Sequence, residues 1–374
     1  MKKSLKTLGL YALVAIFITF FLALFFNVTT RGLSPSAPAV ATLPAKKPTV
    51  PKTPPSVPVA VLPAGPIEKS FMLPELAWIP QTFNNCGPAT TAMVLEHFDI
   101  HVSQATTRAA LRTNPDDKNV FTYEIQEYLK TKGVGSQLLY NGNVALLKRI
   151  LANGYYVIVE DLFTPDDDIG HDIIVRGYDD AAGIFIVEDS YYGPTIEVKY
   201  ATFDAEWKGF NREYLPVYLP KDEPKVAAII GADFDRATMF QHSVAFNLAI
   251  TKSNPKDMYA WFDLGTSYFG LQDYTRAAAA FDASRALGWP MRMLWYQIQP
   301  VQTYNEIGRF QTALDLARKG LVYNDSFAEL HYESAVALKG LGKTAEARAE
   351  AEKTLVMDPD FQKAKNLLAT LQGQ

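Results

Sequence analysis

A proline-rich segment divides this 374-residue chain into separate parts. Residues 33–66 hold ten prolines and three lysines but no acidic residue. Proline fixes φ near about −65° and lacks an amide hydrogen, so the segment can continue neither a helix nor the inside of a sheet. Its composition favours extended polyproline II structure, a semi-rigid spacer. We therefore predict a linker at 33–70, with independent structure before and after it.

The segment before the spacer predicts a membrane anchor at 1–32. Residues 8–26 carry no charge, and at about 1.5 Å per residue they nearly span a hydrocarbon core of about 30 Å. A cleaved signal peptide is the alternative, although its apolar run is usually about 7 to 15 residues long. Lys2, Lys3 and Lys6 precede the run and Arg31 follows it, which predicts a cytoplasmic N-terminus in the cell membrane and extracytoplasmic domains.

Composition excludes several classes of site. With 36 basic and 40 acidic residues, the charge does not favour nucleic acid as a partner. The one cysteine, Cys86, can form neither an internal disulfide nor a four-cysteine metal site. The five histidines are scattered, and we assign no metal to His97 and His101, although they lie four residues apart. No metal and no cofactor are expected.

Residues 71–222 show helical patterns followed by strand patterns, which favours an α+β domain. Helices are predicted at 90–98, 103–111, 122–132 and 143–153, and strands at 155–159, 173–177, 184–187 and 214–218.

Cys86 lies where a helix is expected to begin. Pro88 is a start signal, because proline is tolerated in the first helical turn. The positive end of the helix dipole would favour a thiolate at this place. A small buried hydrophobic residue is the alternative for a lone cysteine.

Two of the predicted strands carry polar residues suited to activating a thiol. His171 begins one strand and Asp189 ends the next. If the strands are antiparallel neighbours, these residues meet at one edge of the sheet.

The ordered set of Gln81, Cys86-Gly87-Pro88, Gly170-His171 and Asp189 resembles the C39-like cysteine peptidases of papain-type fold over roughly residues 71–220. The resemblance implies that Cys86 is the nucleophile, His171 the general base, Asp189 the group orienting the imidazole, and Gln81 an oxyanion-hole donor. It also implies a peptide or protein substrate. Thiolate attack requires an adjacent base, and the tetrahedral intermediate requires an aimed N–H donor.

Acidic residues are frequent near His171 in the sequence. They are Glu160, Asp161, Asp166, Asp167, Asp168, Asp172, Asp179 and Asp180, against Arg176 alone. Such a field would attract cationic peptides, while a solvated acidic loop is the alternative.

The end of the chain contains a repeat. Ala277, Ala313 and Ala347 close similar segments at separations of 36 and 34 residues. The first copy opens with Trp261-x-x-Leu264-Gly265-x-x-Tyr268 and resembles tetratricopeptide repeats. Pro300 is expected to interrupt the second copy, and residues 226–254 to supply a degenerate earlier one. The resemblance implies an all-α solenoid at 223–374 that binds a protein partner, or else caps the preceding domain.

Together these patterns predict a membrane-anchored thiol peptidase with a protein-binding solenoid. A catalytically silent peptide-binding module and a thiol acyltransferase are the alternatives, since they share the fold or the first half-reaction.

Overall fold

The computed structural model describes residues 68–164 and 167–372. The predicted anchor at 8–26 and the prolines at 33–66 lie outside these residues. Within them, no helix has both the length and the apolar character needed to cross a membrane.

The first part of the described chain is built on an antiparallel seven-stranded sheet. Its strands are β1 (Ser70–Met72), β2 (Gly135–Ser136), β3 (Val157–Leu162), β4 (Gly170–Asp179), β5 (Ile184–Asp189), β6 (Gly193–Lys199) and β7 (Leu215–Tyr218). They lie in the order β2-β7-β3-β4-β5-β6, and β1 also pairs with β4. The predicted neighbours β4 and β5 are confirmed as an antiparallel pair.

Strand β4 is long enough to pair with two strands along one of its edges. Its residues 170–175 face β3, whereas 177–179 face β1. The pairing with β5 shifts register between Val175 and Gly177. A Cβ atom at Gly177 would lie 2.9 Å from the carbonyl oxygen of Phe71, so β1 can approach only a glycine there.

Five helices accompany the sheet: α1 (Cys86–His97), α2 (Gln104–Leu111), α3 (Thr122–Thr131), α4 (Val144–Ala152) and α5 (Tyr200–Trp207). The predicted helices are found, and α1 begins at Cys86, four residues before the periodic run 90–98 and at the start that Pro88 indicated. Strand β6 and helix α5 were not predicted. Strand β6 lies at the sheet edge with most side chains exposed or half-buried, so it lacks the apolar run of a central strand.

The second part of the described chain is helical, as predicted. Its helices are α6 (Glu223–Ile230), α7 (Arg236–Ser253), α8 (Met258–Gly270), α9 (Tyr274–Ala286), α10 (Gln299–Glu306), α11 (Phe310–Leu321), α12 (Ala328–Gly340), α13 (Thr344–Met357) and α14 (Gln362–Gln372). They surround a second apolar core in which the three repeat alanines, Ala277, Ala313 and Ala347, are buried.

The segment predicted as a degenerate repeat, residues 226–254, packs partly on the sheet domain. Helix α6 and the start of α7 bury Val226, Ile230, Met239 and Phe240 in the core of the sheet domain. The remainder of α7 packs on α8. These helices therefore connect the two cores.

Pro300 shortens the second copy, as expected. Helix α10 begins at Gln299 with Pro300 in its first turn. A 3₁₀ segment, Met291–Trp295, precedes it. Proline cannot donate the hydrogen bond that would continue a helix through this position, so the helix has to start there.

Hydrogen bonds tie the two parts together. The side-chain amide of Asn211 donates to the Ser267 hydroxyl at 3.2 Å, and its Oδ1 atom accepts a hydrogen bond from the Ser243 hydroxyl. All three side chains are buried. At the other end, Asn324 donates to Asp117 at 3.0 Å. Buried polar side chains that are satisfied across a boundary fix the relative position of its two sides.

Two half-buried carboxyl groups lie near this second contact. Burial, with the charge of Glu329 as the next cause, raises the pKa of Glu124 to about 8. Burial likewise raises the pKa of Glu329 to about 7. The Oε2 atom of Glu124 accepts a hydrogen bond from the Phe121 amide at 2.8 Å.

These pKa values predict that stability falls as pH rises. Between about pH 4.5 and 8 the unfolded chain releases protons that the folded chain retains, so stability is fully present below that window and declines through it. Glu124→Gln keeps an acceptor for Phe121 but does not titrate. We expect it to recover about 1 kcal/mol of unfolding free energy at pH 8 and little at pH 4.5, measured by urea unfolding.

Glu127→Gln is the matched control, since Glu127 lies exposed on the same helix. Identical pH dependence for Glu124→Gln and the parent chain would contradict the prediction.

Candidate active site

Helix α1 places the single thiol at its first turn. Asn85 is the N-cap residue, Cys86 is the first helical residue and the thiol is partly exposed. The first amides of a helix have no partner within it, and their dipoles favour a negative charge. This position matches the one predicted for a nucleophile.

The loop before Cys86 is held by side chains of helix α2 and its C-cap. Gln104 donates to the Pro80 carbonyl at 2.9 Å and accepts from the Thr82 amide at 2.8 Å. Arg112 donates to the Asn85 side chain at 2.9 Å and to the Asn84 carbonyl. The thiol is therefore carried on a bound loop rather than a free one.

A further contact fixes helix α1 against strand β4. The buried Thr90 hydroxyl donates to the backbone carbonyl of Asp172 at 3.0 Å. Thr90 lies one helical turn after Cys86, and Asp172 directly follows His171. This bond thus sets the distance between the elements that carry sulfur and imidazole.

His171 and Asp189 meet as predicted. The Nε2 atom of His171 lies 3.0 Å from Oδ1 of Asp189, and the two side chains are buried, with relative exposures of 5% and 7%. The same Oδ1 accepts the backbone amides of Tyr191 and Tyr192 at 2.7 and 2.9 Å. With Nε2 engaged, Nδ1 is the ring nitrogen available to the thiol.

The surroundings of His171 and Asp189 favour the charged form of each side chain. Burial opposes a charge on His171, but the hydrogen bonds to Asp189 and Cys86 and their negative charges hold its pKa well above the usual value. Burial also opposes a charge on Asp189, yet His171 and the two amides hold the pKa of that carboxyl below its usual value. A basic imidazole held by a carboxylate beside a thiol is the arrangement that activation of the thiol requires.

Gln81 lies beside Cys86 with its amide oriented. Its backbone N–H donates to the Ser190 carbonyl at 2.8 Å, and the Ser190 hydroxyl donates to its Oε1 at 2.7 Å. Because Oε1 is engaged as acceptor, the Nε2 hydrogens remain available as donors. Ser190 was not assigned from the sequence, although it directly follows Asp189.

Gln81, Cys86 and His171 line one cavity of about 270 Å³. Aromatic side chains from three loops form part of its wall: Phe83, Phe163 and Tyr191. The ring of Phe163 packs edge-on against His171, with 5.2 Å between ring centroids. Asp189 lies behind His171 and is not part of the lining.

The repeat domain contributes one residue to this cavity. Tyr296 follows the 3₁₀ segment before Pro300 and lines the cavity that contains Cys86. A Cβ atom at Gly170 would lie 2.9 Å from the Tyr296 ring, so the residue before His171 has to be small. No sequence signal connects Tyr296 with Cys86, since the two lie in different domains.

The predicted acidic field divides into two sets. Asp161 and Asp172 flank His171 in the buried sheet, and burial raises the pKa of Asp172 to about 6. Asp168, in contrast, pairs with Arg292 of the repeat domain at 2.8 Å. Arg176 pairs with the buried Glu188. Asp168 therefore has a cationic partner from a distant part of the chain, which the count of nearby residues with Arg176 alone did not include.

The histidines outside this cavity have other contacts. His97 packs against Phe98 and Tyr156, and His101 contacts Glu96 at 2.7 Å. In residues 68–164 and 167–372, no group of three or more His, Cys, Asp or Glu side chains is arranged to hold a metal ion.

Comparison with family models finds one match in each part of the chain. Residues 73–215 match the model described as the Peptidase_C39 like family. Residues 245–291 match a tetratricopeptide repeat model. The predicted resemblances are confirmed over these residues. Among curated proteins, none matches the chain.

Several solved structures match part of the chain. A double glycine motif protease from an AMS/PCAT transporter, in complex with its leader peptide, is 16% identical with a TM-score of 0.31, covering 39% of this chain and 93% of that one. YrrB, a tetratricopeptide repeat protein with an unusual peptide-binding site, is 15% identical with a TM-score of 0.33, covering 36% and 68%. MamA residues 41-end from Desulfovibrio magneticus RS-1 is 16% identical with a TM-score of 0.31, covering 37% and 85%. TM-scores this low carry no conclusion about function.

The geometry predicts how the thiol reacts. Because the His171 imidazole hydrogen-bonds to Cys86, we expect His171→Ala to slow alkylation of the chain by iodoacetamide at pH 6 by about tenfold or more. Cys86 is the one cysteine of the sequence, so the adduct is measured directly by mass spectrometry.

His101→Ala serves as the control, because that side chain is 70% exposed and pairs with other residues. Equal alkylation rates in His171→Ala and the parent chain would show that the imidazole does not activate the thiol.

Proposed function

We propose that this protein is a cysteine peptidase that cleaves peptide bonds through Cys86, His171 and Asp189. The observation that carries the proposal is the buried His171–Asp189 hydrogen bond beside the cavity that contains the only thiol. A base held by a carboxylate and directed at a nucleophile is the constellation of acyl-transfer enzymes. The match of residues 73–215 to the C39-like family supports the same activity.

The first half-reaction follows from these positions. The thiol proton moves to Nδ1 of His171, and the sulfur attacks the substrate carbonyl carbon. The oxyanion is bound by Nε2 of Gln81 and by the backbone N–H of Cys86, which is free at the first helical position. The C–N bond then breaks, and the departing amine takes the proton from the imidazolium.

Water completes the reaction. His171 accepts a proton from a water molecule that attacks the thioester carbonyl. The C–S bond breaks, the thiol regains the proton, and a carboxylic acid is released. Throughout these steps Asp189 keeps the imidazole in one tautomer and offsets its charge.

The segments outside the peptidase-like domain concern the location of the protein and its binding partners. We place the protein in the cell membrane through a helix at residues 8–26, with the N-terminus in the cytoplasm and residues 33–66 as the spacer. The support is the length of the apolar run and the lysines that precede it. We assign the tetratricopeptide repeats to protein or peptide binding, which is the usual role of stacked helix pairs.

Labelling and cleavage together test the activity. The full-length protein in detergent is treated with a thiol-directed activity probe and, separately, with a peptide mixture analysed by mass spectrometry. We expect rapid labelling and new peptide termini with the parent chain, and neither with Cys86→Ala. Slow labelling, equal in the parent chain and in His171→Ala, would favour a silent peptide-binding module.

Cleavage in H₂¹⁸O distinguishes hydrolysis from transfer to an amine. Hydrolysis adds one ¹⁸O atom to each new carboxyl group. Products with an amide and no ¹⁸O at that position would instead identify an acyltransferase.

The proposed oxyanion contact gives a separate prediction. Gln81→Ala removes a donor that acts in the transition state, so kcat should fall by about 10² to 10³ with little change in KM. Ser190→Ala should cause a smaller loss, since it removes the bond that orients Gln81 but keeps the donor. Steady-state kinetics on a cleaved peptide measure both.

Gln311→Ala is the control, because Gln311 lies on the surface of α11 and contacts Asp315. A kcat for Gln81→Ala within about threefold of the parent value would exclude the oxyanion role.

A further inference from the structure

Asp172 is a buried carboxyl group that the proposed reaction leaves without a role. It follows His171 on strand β4, and it lines the same cavity as Cys86. The residue is 3% exposed, and its Oδ1 atom has no hydrogen-bond partner among the described residues. A buried carboxyl oxygen without a partner is unfavourable for folding. The stability of the fold therefore does not account for this side chain.

The carboxyl group of Asp172 faces the first turn of helix α1. A Cβ atom at Gly87 would lie 2.9 Å from its Oδ2 atom, so the glycine after Cys86 leaves the space that the carboxyl group occupies. The carboxyl group also forms a hydrogen bond with the Cys86 side chain. The sulfur thus contacts two acid–base groups, the imidazole of His171 and the carboxyl group of Asp172.

The backbone holds this carboxyl group in place. The Thr90 hydroxyl donates to the Asp172 carbonyl at 3.0 Å, and Thr90 is on the helix that begins with Cys86. Strand β4 is paired on both sides at this point, with β3 and β5. Asp172 therefore cannot move away from the sulfur without the loss of that bond and of strand pairing.

The groups that contact Asp172 act on its charge in opposite directions. Burial is the largest influence and raises the pKa of Asp172 to about 6. The charge of His171, the hydrogen bond with Cys86 and the charge of Arg112 act the other way and favour the ionised form. Asp172 can consequently be neutral or charged at the pH values at which thiol enzymes work.

The remaining acidic groups near Asp172 keep one charge over this range. Glu160 and Asp161 lie on β3, and Glu213 lies just before β7. Burial raises the pKa of Glu213 to about 8 and holds the pKa of the other two well above their usual values. These three groups are thus neutral where Asp172 ionises. Asp189 on β5 is already ionised there, since its pKa lies below the usual value.

We propose that Asp172 is a further catalytic residue that controls the charge of the Cys86 sulfur: its neutral carboxyl group stabilises the thiolate, and its carboxylate suppresses it. This inference rests on the proposed function and concerns the regulation of the same site. The ionised form accepts the S–H hydrogen and repels a negative sulfur. The neutral form donates its O–H to the sulfur, while the thiol proton moves to Nδ1 of His171.

Alkylation of the single thiol tests this role without any cleavage. Asp172→Asn cannot ionise but retains an N–H donor. We expect the full-length variant to react with iodoacetamide about tenfold faster than the parent chain or more at pH 7.5, because like-charge repulsion at contact distance is removed. At pH 5 the parent carboxyl group is neutral, so the two rates should agree within about twofold. Mass spectrometry measures the adduct.

The ultraviolet absorbance of the thiolate distinguishes this effect from local unfolding. It is taken as the difference between each chain and its Cys86→Ala counterpart. We expect more thiolate in Asp172→Asn than in the parent chain at pH 7. A chain unfolded around Cys86 would instead have a thiol of ordinary pKa, about 8.5, and would show little thiolate at this pH.

Glu206→Gln is the matched control. Glu206 is a half-buried carboxyl group on α5 that does not line the thiol cavity, and burial raises its pKa to about 7. It titrates in the same range without a contact to the sulfur, so the pH dependence of the parent chain should be retained. Equal rates for Asp172→Asn and the parent chain at pH 7.5, or the same ratio of rates at both pH values, would overturn the proposal.

Peptide cleavage separates this proposal from the peptidase activity. If the parent chain cleaves peptides, Asp172→Asn should retain its kcat/KM to higher pH than the parent chain does. If the parent chain cleaves nothing, but Asp172→Asn changes the thiol as described, the role of Asp172 stands and the peptidase assignment fails. If cleavage occurs with the same pH profile of kcat/KM in both chains, the peptidase stands and the role of Asp172 fails.

Discussion

The hydrogen bond from Thr90 to the Asp172 carbonyl joins the two elements on which the candidate chemistry depends. Helix α1 carries the thiol at its first residue, and strand β4 carries the imidazole one residue before that carbonyl. Both elements are buried, so neither can shift without disrupting close-packed side chains. The separation of sulfur and imidazole is thus fixed by packing and one backbone contact, and Asp189 fixes the ring through a third element.

The buried acidic residues around this pair reduce the stability of the folded state. Glu160, Asp161, Asp172 and Glu213 are all buried near it, and burial disfavours a charge on each of them. Stable cores usually avoid such groups unless they are paired. Glu160 and Asp172 line the thiol cavity itself, and buried ionisable groups with shifted pKa values are typical of a functional site.

The repeats form part of the candidate site because one of them is irregular. A regular first helix in the second copy would continue through residues 291–298. Pro300 instead restricts the helix to Gln299–Glu306 and leaves a 3₁₀ segment before it. Tyr296 then packs on Gly170, and Arg292 reaches Asp168. A departure from the repeat pattern therefore produces the contact between the solenoid and the strand that carries His171.

Local signals in the sequence were enough to predict the helix start at Cys86, the strands that bear His171 and Asp189, and the helix pairs marked by Ala277, Ala313 and Ala347. Pro88, β-branched runs and a fixed repeat length act over short distances, so they can be recognised without tertiary structure. The tertiary structure alone decided the bond from Ser190 to Gln81, the burial of Glu160 and Glu213, and the position of Tyr296 in the wall of the thiol cavity. Each of these depends on residues brought together across domains or strands, and burial, which sets their charge, is a property of the folded chain and not of any segment.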